Sequence, residues 1–241
     1  MSLLEVKGLT KRFGGLIAVN DFNVKLDKGE IVALIGPNGA GKTTAFSTIA
    51  GFYKPEAGKV MFKEHDITGM HPDQICKLGL VRTFQVVRPF QSLTVLDNVM
   101  VGAYARTNDD KIARKKARET LEYLEMSHLE NQIASGLPIA GRKRLEIARA
   151  LATNPEVLLL DETMAGLRPV ETDEVIALVR KISESGTAIL LVEHVMRVVM
   201  SLAKRIVVLH HGEKIAEGTP AEITKNQQVI DAYLGEADVE S

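Results

Sequence analysis

The sequence is short of several features that mark particular classes of protein. It contains a single cysteine, Cys76, and no tryptophan. One cysteine excludes an internal disulfide framework and is typical of a protein kept in a reducing compartment. The formal net charge is −1, so the chain has none of the basic excess on which nucleic-acid binders depend. We therefore expect no nucleic-acid partner.

Long apolar runs are also missing. The longest ones, such as EVLLLDE and AILLVE, fall far short of the roughly 18 consecutive residues that a membrane span requires. The opening MSLLEVKG has neither the basic segment nor the apolar core of a secretory signal. We therefore expect the 241 residues to form one domain with a large core, and any membrane association to be peripheral.

Short β-like runs alternate with helical patterns, which is typical of an α/β fold with a mainly parallel sheet. Strands are predicted at 3–7, 22–26, 30–35, 58–62, 80–84, 157–161, 188–193 and 205–210. Helices are predicted at 94–103, 111–125 and 142–152, with a strand and two short helices at the C-terminal end. We therefore expect a helical subdomain over about 85–156, inserted into a core formed by about 1–84 and 157–241.

The strongest chemical signal is GPNGAGKTT, which follows the apolar run EIVALI. Gly36, Gly41, Lys42 and Thr43 match the pattern G-x-x-x-x-G-K-[ST], and a helical pattern follows them. The glycines let the backbone turn its N–H groups toward phosphate, and the helix N-terminus favours negative charge. Lys42 is expected to reach the β- and γ-phosphates and Thr43 to bind Mg²⁺. The stretch therefore predicts a nucleoside triphosphate site.

Two further strand ends carry polar residues. Asp161 and Glu162 follow the apolar run VLLL, where a Mg²⁺ ligand and a general base for water are expected. The alternative for this pair is a solvated strand exit. His194 follows the strand AILLV after one glutamate. Alone it could be a structural loop histidine, but beside the other motifs a γ-phosphate contact is the better interpretation.

These motifs, in this order, resemble the ATP-binding subunits of ATP-binding-cassette (ABC) transporters over nearly the whole chain. GPNGAGKTT looks like their Walker A loop, VLLLDE like their Walker B strand, Gln85 in VRTFQ like their glutamine loop, and His194 in LLVEHV like their switch histidine. Phe13 in TKRFGG matches the aromatic residue that stacks on adenine, although packing at a strand edge is the alternative.

The resemblance implies an ATPase that uses ATP and Mg²⁺, with a P-loop fold of ABC type, an antiparallel β portion and an inserted helical subdomain. Its expected catalytic residues are Glu162, His194 and Gln85, and its expected metal ligands are Thr43, Gln85 and Asp161. The residues expected to contact ATP are Phe13, Gly36, Pro37, Asn38, Gly39, Ala40, Gly41, Lys42, Thr43 and Thr44, together with a signature loop of Leu137, Pro138, Ile139, Ala140 and Gly141.

The signature loop departs from the family pattern. The family usually has Leu-Ser-Gly-Gly-Gln, directed at the ATP of a second subunit, where this chain has LPIAG. Pro138 removes the serine hydroxyl, and Ile139 and Ala140 replace glycines that let the backbone approach the ligand. Two assemblies stay open: a heterodimer with a second, related ATPase, or a homodimer in which Arg142 or backbone donors replace the serine.

The helix after this loop begins with three cations, where the helix dipole disfavours positive charge: Arg142, Lys143 and Arg144. The resemblance implies that this helix start faces phosphate, which would explain them. A further departure is Arg168 in AGLRP, where the family usually has Asp or Asn.

Longer stretches of the sequence narrow the resemblance to one group within the family. DITGMHPDQICKLGLVRTFQ, LTVLDNVMVGAY and VIDAYLGE are similar to the ATPase subunits of branched-chain and hydrophobic amino-acid importers. That group implies transmembrane permease subunits, a solute-binding protein acting indirectly, and a peripheral location on the cytoplasmic face of the cell membrane. Arg88, Pro89 and Phe90 are then expected in an exposed loop that seats a permease helix, with a loop folded onto the helical subdomain as the alternative. The alternatives are a lipopolysaccharide-export ATPase, a soluble ABC ATPase acting on nucleic acid or ribosomes, and a small-molecule kinase.

Overall fold

Strands and helices alternate along most of the chain in the computed structural model, which describes residues 2–83 and 89–237. Its strands, in chain order, are β1 (Leu4–Phe13), β2 (Leu16–Leu26), β3 (Ile31–Ile35), β4 (Ala57–Phe62), β5 (His65–Asp66), β6 (Leu80–Arg82), β7 (Val157–Asp161), β8 (Ala188–Val192), β9 (Arg205–His210) and β10 (Glu213–Gly218). Its helices are α1 (Lys42–Ile49), α2 (Pro72–Leu78), α3 (Val95–Ala103), α4 (Asp110–Tyr123), α5 (Ile139–Ala152), α6 (Pro169–Glu184), α7 (Met196–Leu202), α8 (Pro220–Ile223) and α9 (Gln227–Ala237), with 3₁₀ turns at Ser127–Leu129 and Ala134–Gly136.

A six-stranded sheet forms the centre, in the order β10-β9-β3-β8-β7-β6. The strands from β9 to β6 run parallel, and β10 pairs antiparallel with β9. Every residue of β3, β7 and β8 is buried, as expected for parallel strands that are covered on both faces. The predicted mainly parallel core with an antiparallel portion is confirmed.

A second, antiparallel sheet has the order β2-β1-β4-β5. The strands predicted at 3–7 and 22–26 are only the outer ends of a long hairpin, which turns at Gly14 and Gly15. The prediction omitted the halves of both strands that lie next to the turn. They are hard to identify because the register of β1 against β2 shifts between Val6 and Leu9 and again toward Lys11. Each shift breaks the alternation of apolar and polar residues by which strands are identified in a sequence.

Helices α3, α4 and α5 follow one another between β6 and β7 and pack together. The helices predicted at 94–103 and 111–125 lie within one or two residues of α3 and α4. Helix α5 begins at Ile139 rather than at 142 because Pro138 sits at its N-cap with an extended backbone. The placement of helices here agrees with an inserted helical unit, whose boundaries stay a prediction.

Alternate residues of β7 and β8 belong to two separate apolar cores, and Ala33 and Ile35 of β3 belong to a third. On β7, Leu158 and Leu160 pack with the helices α3 to α6, whereas Val157 and Leu159 pack with α1 and the antiparallel sheet. This alternation follows from the two-residue repeat of a strand. Within residues 2–83 and 89–237, no helix combines the length and the apolar character that crossing a bilayer would demand.

Truncating a core residue of β7 should destabilise the whole chain. Leu160 is fully buried, so we expect Leu160→Ala to lower the free energy of unfolding by about 2–5 kcal/mol, through lost apolar burial and the cavity left behind. Urea denaturation followed by circular dichroism would measure the change. Ile112→Ala on the exposed side of α4 is the matched control; a loss as small as that of the control would contradict this account of the core.

Candidate functional site

A cleft of about 500 Å³ lies at the carboxyl ends of the central strands. The residues Asn38–Thr44 form one side of it, and Phe13, Glu162 and His194 form other parts. These predicted residues come from distant parts of the chain, and the fold brings them to one concave surface. Parallel α/β sheets characteristically place their ligand sites at this edge.

The loop between β3 and α1 needs its glycines because other strands crowd it. Gly36 and Gly41 have φ of 152° and 100°. A Cβ at Gly36 would collide with the carbonyl oxygen of Leu209, and one at Gly41 with the carbonyl oxygen of Ala18. The pattern of glycines is therefore required by packing against β9 and β2 as well as by any bound phosphate.

Lys42, the first residue of α1, is buried and folds back over this loop. Its Nζ donates hydrogen bonds to the carbonyl oxygens of Gly36 and Pro37, at 2.7 and 2.6 Å. The ammonium group is thus held across the mouth of the loop, where the helix N-terminus also favours negative charge. This arrangement suits a triphosphate.

Asp161 ends β7 and is almost fully buried. Its Oδ2 accepts a hydrogen bond from Arg82 Nη2 at 2.8 Å, and Arg82 Nη1 donates to Ser47 Oγ on α1 at 2.8 Å. Asp161 Oδ1 has no hydrogen-bond partner among the described residues. Arg82 thereby connects β6 to β7 and α1. Sequence reasoning missed this residue, because the only indication of its role was a cation at the end of an apolar strand.

Glu162 and His194 are in direct contact. His194 Nε2 lies 2.6 Å from Glu162 Oε1. Glu162 has φ of 47°, in the left-handed region that costs about 1–3 kcal/mol for a residue with a Cβ. Its backbone N–H donates to the carbonyl oxygen of Val192 at 2.9 Å, which holds it against β8. Such a conformation, held at the edge of a cleft, is typical of a functional residue.

The far end of the cleft is apolar. Phe13 is 44% exposed and packs edge-on against Tyr53, with ring centroids 5.1 Å apart. Leu16 and Ile17, across the turn of the hairpin, present exposed apolar side chains to the same cleft. An exposed aromatic ring flanked by apolar side chains can stack on a planar base. Sequence reasoning missed the lining residues Leu16, Ile17, Ala18, His211 and Gly212, since only the packing of β2 and of the β9–β10 turn places them here.

The signature loop lies away from this cleft. None of its residues, Leu137, Pro138, Ile139, Ala140 and Gly141, belongs to the lining of the cleft. Ile139, at the start of α5, is 56% exposed. One chain alone therefore presents the phosphate-binding loop and the signature loop on separate surfaces.

The three cations at the start of α5 have acceptors within the chain. Arg142 Nε donates to the carbonyl oxygen of Leu137 at 2.9 Å, and Arg144 Nη2 donates to that of Leu124 at 2.6 Å. Lys143 Nζ donates to the carbonyl oxygen of Glu162 at 3.0 Å. A phosphate on a second subunit is thus not needed to explain these charges, contrary to the expectation from the sequence.

Several other residues that the sequence singled out do not line the cleft or lie outside the described residues. Gln85 and Arg88 lie outside the described residues. Phe90 is 46% exposed and Pro89 half-buried beside it. Arg168 is the N-cap of α6, where it pairs with Glu171 at 2.7 Å.

Mg²⁺ is the metal that the fold family implies, and the residues present fit it. The described residues hold no group of three or more His, Cys, Asp or Glu that could form a protein-only metal site. Mg²⁺ is usually bound by one or two carboxylates together with substrate phosphates. The unpartnered Asp161 Oδ1 and the hydroxyl-bearing Thr43 in the cleft meet that requirement.

Comparisons with known proteins agree with this geometry. The family model described as ABC transporter matches residues 19–165, and one described as branched-chain amino acid ATP-binding cassette transporter matches residues 213–239. Two similar proteins are high-affinity branched-chain amino acid transport ATP-binding proteins. The one from Pseudomonas aeruginosa is 43% identical and the one from Salmonella typhimurium 44% identical, each over 98% of both chains.

Solved structures of ATP-binding cassettes are also similar to this chain. The ADP conformation of an ATP-binding cassette of an ABC transporter matches with a TM-score of 0.89 and 31% identity, over 98% of this chain and 99% of that one. A dimeric post-hydrolysis state of another cassette, bound to ADP and Pi, matches with a TM-score of 0.80 and 27% identity, over 90% of this chain and 98% of that one.

The importer group is favoured over the lipopolysaccharide-export, soluble ATPase and kinase alternatives by these matches. The chain belongs to the ABC transporter family of ATPases, in the group of branched-chain amino acid transport ATP-binding proteins.

Proposed function

We propose that this chain is the ATP-hydrolysing subunit of an importer of branched-chain or other hydrophobic amino acids. The observation that carries the proposal is the contact of Glu162 with His194 at the edge of a cleft formed by the phosphate-binding loop. The similarity to importer ATPases along the full length of the chain supports the choice of solute.

Binding of ATP uses both ends of the cleft. The backbone N–H groups of the phosphate-binding loop and the Lys42 ammonium receive the phosphates, and Phe13, Leu16 and Ile17 pack against the base. Thr43 and Asp161, with Gln85, would hold Mg²⁺. Mg²⁺ supplies positive charge that neutralises the phosphate oxygens. Arg82 keeps the Asp161 side chain fixed by binding Oδ2, while the buried Oδ1 has no hydrogen-bond partner among the described residues.

Hydrolysis requires a positioned water and an acceptor for its proton. Glu162 accepts that proton as the water oxygen bonds to the γ-phosphorus, and the bond from phosphorus to the β–γ bridging oxygen breaks, leaving ADP and phosphate. His194 orients the Glu162 carboxylate, since its Nε2 lies 2.6 Å from Glu162 Oε1. With ATP bound, its imidazole is expected to contact the γ-phosphate.

Assembly of a complete site needs a second ATPase. The signature loop lies away from the cleft of its own chain, and a similar cassette is dimeric after hydrolysis. Because Pro138 lacks both a side-chain hydroxyl and a backbone N–H, this loop offers fewer donors to a phosphate than the usual signature. We infer a heterodimer whose other subunit brings an ordinary signature to this chain's ATP; the homodimer with Arg142 as substitute is the second candidate.

Coupling to transport occurs through permease subunits at the cytoplasmic face of the membrane, where this chain would bind peripherally. Phe90, which is 46% exposed and carries the Arg149 guanidinium over one face of its ring, offers an apolar contact for a cytoplasmic segment of a permease. A solute-binding protein takes part only indirectly, on the other side of the membrane, and no nucleic acid is involved.

Replacing Lys42 should abolish tight nucleotide binding. We expect Lys42→Ala to raise the Kd for Mg·ATP by about 10- to 100-fold or more. A hydrogen bond to a charged oxygen is worth roughly 1.5–3 kcal/mol. Isothermal titration calorimetry measures the Kd directly. Lys115→Ala, at an exposed position of α4, is the control; an unchanged Kd for Lys42→Ala would refute its role.

Replacing Glu162 should separate binding from turnover. Glu162→Gln keeps the shape of the side chain but cannot accept the proton, so phosphate release should fall by about 10²- to 10⁴-fold while ATP still binds. Uptake of labelled leucine by vesicles that contain the whole transporter should fall in parallel. The matched control is Glu184→Gln at the exposed end of α6. Normal turnover by Glu162→Gln would mean that another group takes the proton.

The purified chain by itself distinguishes the two assemblies. Light scattering with and without Mg·ATP gives its oligomeric state, and phosphate release gives its activity. We expect a monomer that binds ATP and barely hydrolyses it, because its own signature loop is a poor donor. An ATP-dependent homodimer with full turnover would favour the homodimer instead.

A further inference from the structure

Lys143 is a buried lysine that lies outside the lining of the cleft. It is only 7% exposed, although it stands in the first half of α5 among two other cations. Burial lowers the pKa of its ammonium group, and the carboxylates of Glu193, Glu146 and Glu162 act against that shift. A lysine among acidic groups in the interior is unfavourable to bury unless its contacts compensate.

The hydrogen bond of Lys143 differs in kind from those of its neighbours. Arg142 and Arg144 donate to carbonyl oxygens of Leu137 and Leu124, which precede α5 in the same run of helices. Lys143 instead reaches across to the loop after β7 and donates to the carbonyl oxygen of Glu162 at 3.0 Å. It therefore connects α5 to the residue proposed as the base.

The backbone of Glu162 is held from both sides. Its N–H donates to the carbonyl oxygen of Val192 on β8, at 2.9 Å, and its own carbonyl oxygen accepts from Lys143. Because its φ of 47° is disfavoured for a residue with a Cβ, this conformation needs such restraints. The restraints direct the side chain into the cleft, beside His194.

Glu193 completes the arrangement. It is 2% exposed, immediately before His194, and its Oε1 accepts a hydrogen bond from the backbone N–H of Met164 at 2.8 Å. Burial raises the pKa of this carboxyl group, while the Met164 N–H and the charge of Lys143 lower it. Its Oε2 has no hydrogen-bond partner within the part of the chain that the structure describes. Glu193 thus supports the turn that follows Glu162, and its carboxylate acts on the charge of Lys143 from beyond ion-pair distance, as do those of Glu146 and Glu162.

We propose that Lys143 is a positioning residue for hydrolysis, which ties the backbone of Glu162 to the helix that begins at the signature loop. The proposal rests on the proposed function of Glu162 as the base. Since Ile139 and Lys143 belong to the same continuous helix, the signature loop and the base are linked by one rigid element and one hydrogen bond.

The test uses the assembly in which the wild-type chain hydrolyses ATP, with its partner ATPase if one is needed. Lys143→Met keeps the length of the side chain but removes the donor and the charge. We expect kcat to fall by about 10- to 100-fold, as a displaced base would cause, while the Kd for Mg·ATP stays within about twofold. Lys115→Met on the surface of α4 is the control and should leave both values unchanged.

A second variant separates positioning from folding. Lys143→Met leaves Glu193 buried without its opposite charge, which by itself can destabilise the chain. The double variant Lys143→Met/Glu193→Gln removes that charge, so its melting temperature should rise back toward that of the wild type. Under the proposal its kcat stays low, because the tether is still missing. Recovery of wild-type kcat by the double variant, or a single variant as active as Lys115→Met, would overturn the proposal.

The rates of the Glu162→Gln and Lys143→Met variants distinguish a failure of the proposed function from a failure of the proposed role of Lys143. If Glu162 is not the base, Glu162→Gln hydrolyses ATP at the wild-type rate. If only the tether is wrong, Glu162→Gln is inactive and Lys143→Met is active. The Glu162→Gln assembly also gives the background rate from any partner site, which is subtracted from every other rate.

Discussion

The parallel pairing of β3, β8 and β7 is the constraint on which the site depends. Its register places Leu34 beside Val192, and Val192 beside Asp161. The strands therefore end together, so the phosphate-binding loop, the Asp161–Glu162 pair and the Glu193–His194 pair all leave the sheet at the same edge. The pairing is stable because apolar residues on both faces of the sheet are buried in three apolar cores.

Buried charges then set the orientation of the groups at that edge. Arg82 holds one oxygen of Asp161, Lys42 is held over its loop by two carbonyl oxygens, and Lys143 binds the carbonyl oxygen of Glu162. Buried ion pairs contribute little net stability, because desolvation offsets much of their attraction. These cations instead fix the positions of their acceptors, and so they hold the groups at the edge of the sheet in defined orientations. This preorganisation is what a hydrolytic site requires.

Sequence patterns identified several residues that the fold brings to one cleft, but they misplaced the boundaries of the antiparallel sheet. The glycine and lysine spacing of the phosphate-binding loop is a local signal, and residues 38–44 of the loop line the cleft, whereas Gly36 and Pro37 do not. The inner half of the β1–β2 hairpin was missed because the register shifts near Leu9 and Lys11 interrupt its alternation. Leu16, Ile17 and His211 were missed for a related reason: nothing in their immediate sequence indicates that they face a ligand. The cations of α5 were identified as unusual, and the structure gives all three an acceptor within the chain.

By itself the sequence determined the class of fold, the phosphate-binding loop, the acidic strand end and the family, because each depends on short-range patterns or on motif order. Only the tertiary structure decided which side chains meet. It brought His194 to Glu162, Arg82 to Asp161 and Lys143 to the Glu162 backbone, and it separated the signature loop from the cleft of its own chain. Contacts of this kind join residues far apart in the chain, and their geometry follows from the packing of helices on the sheet, which no local pattern encodes.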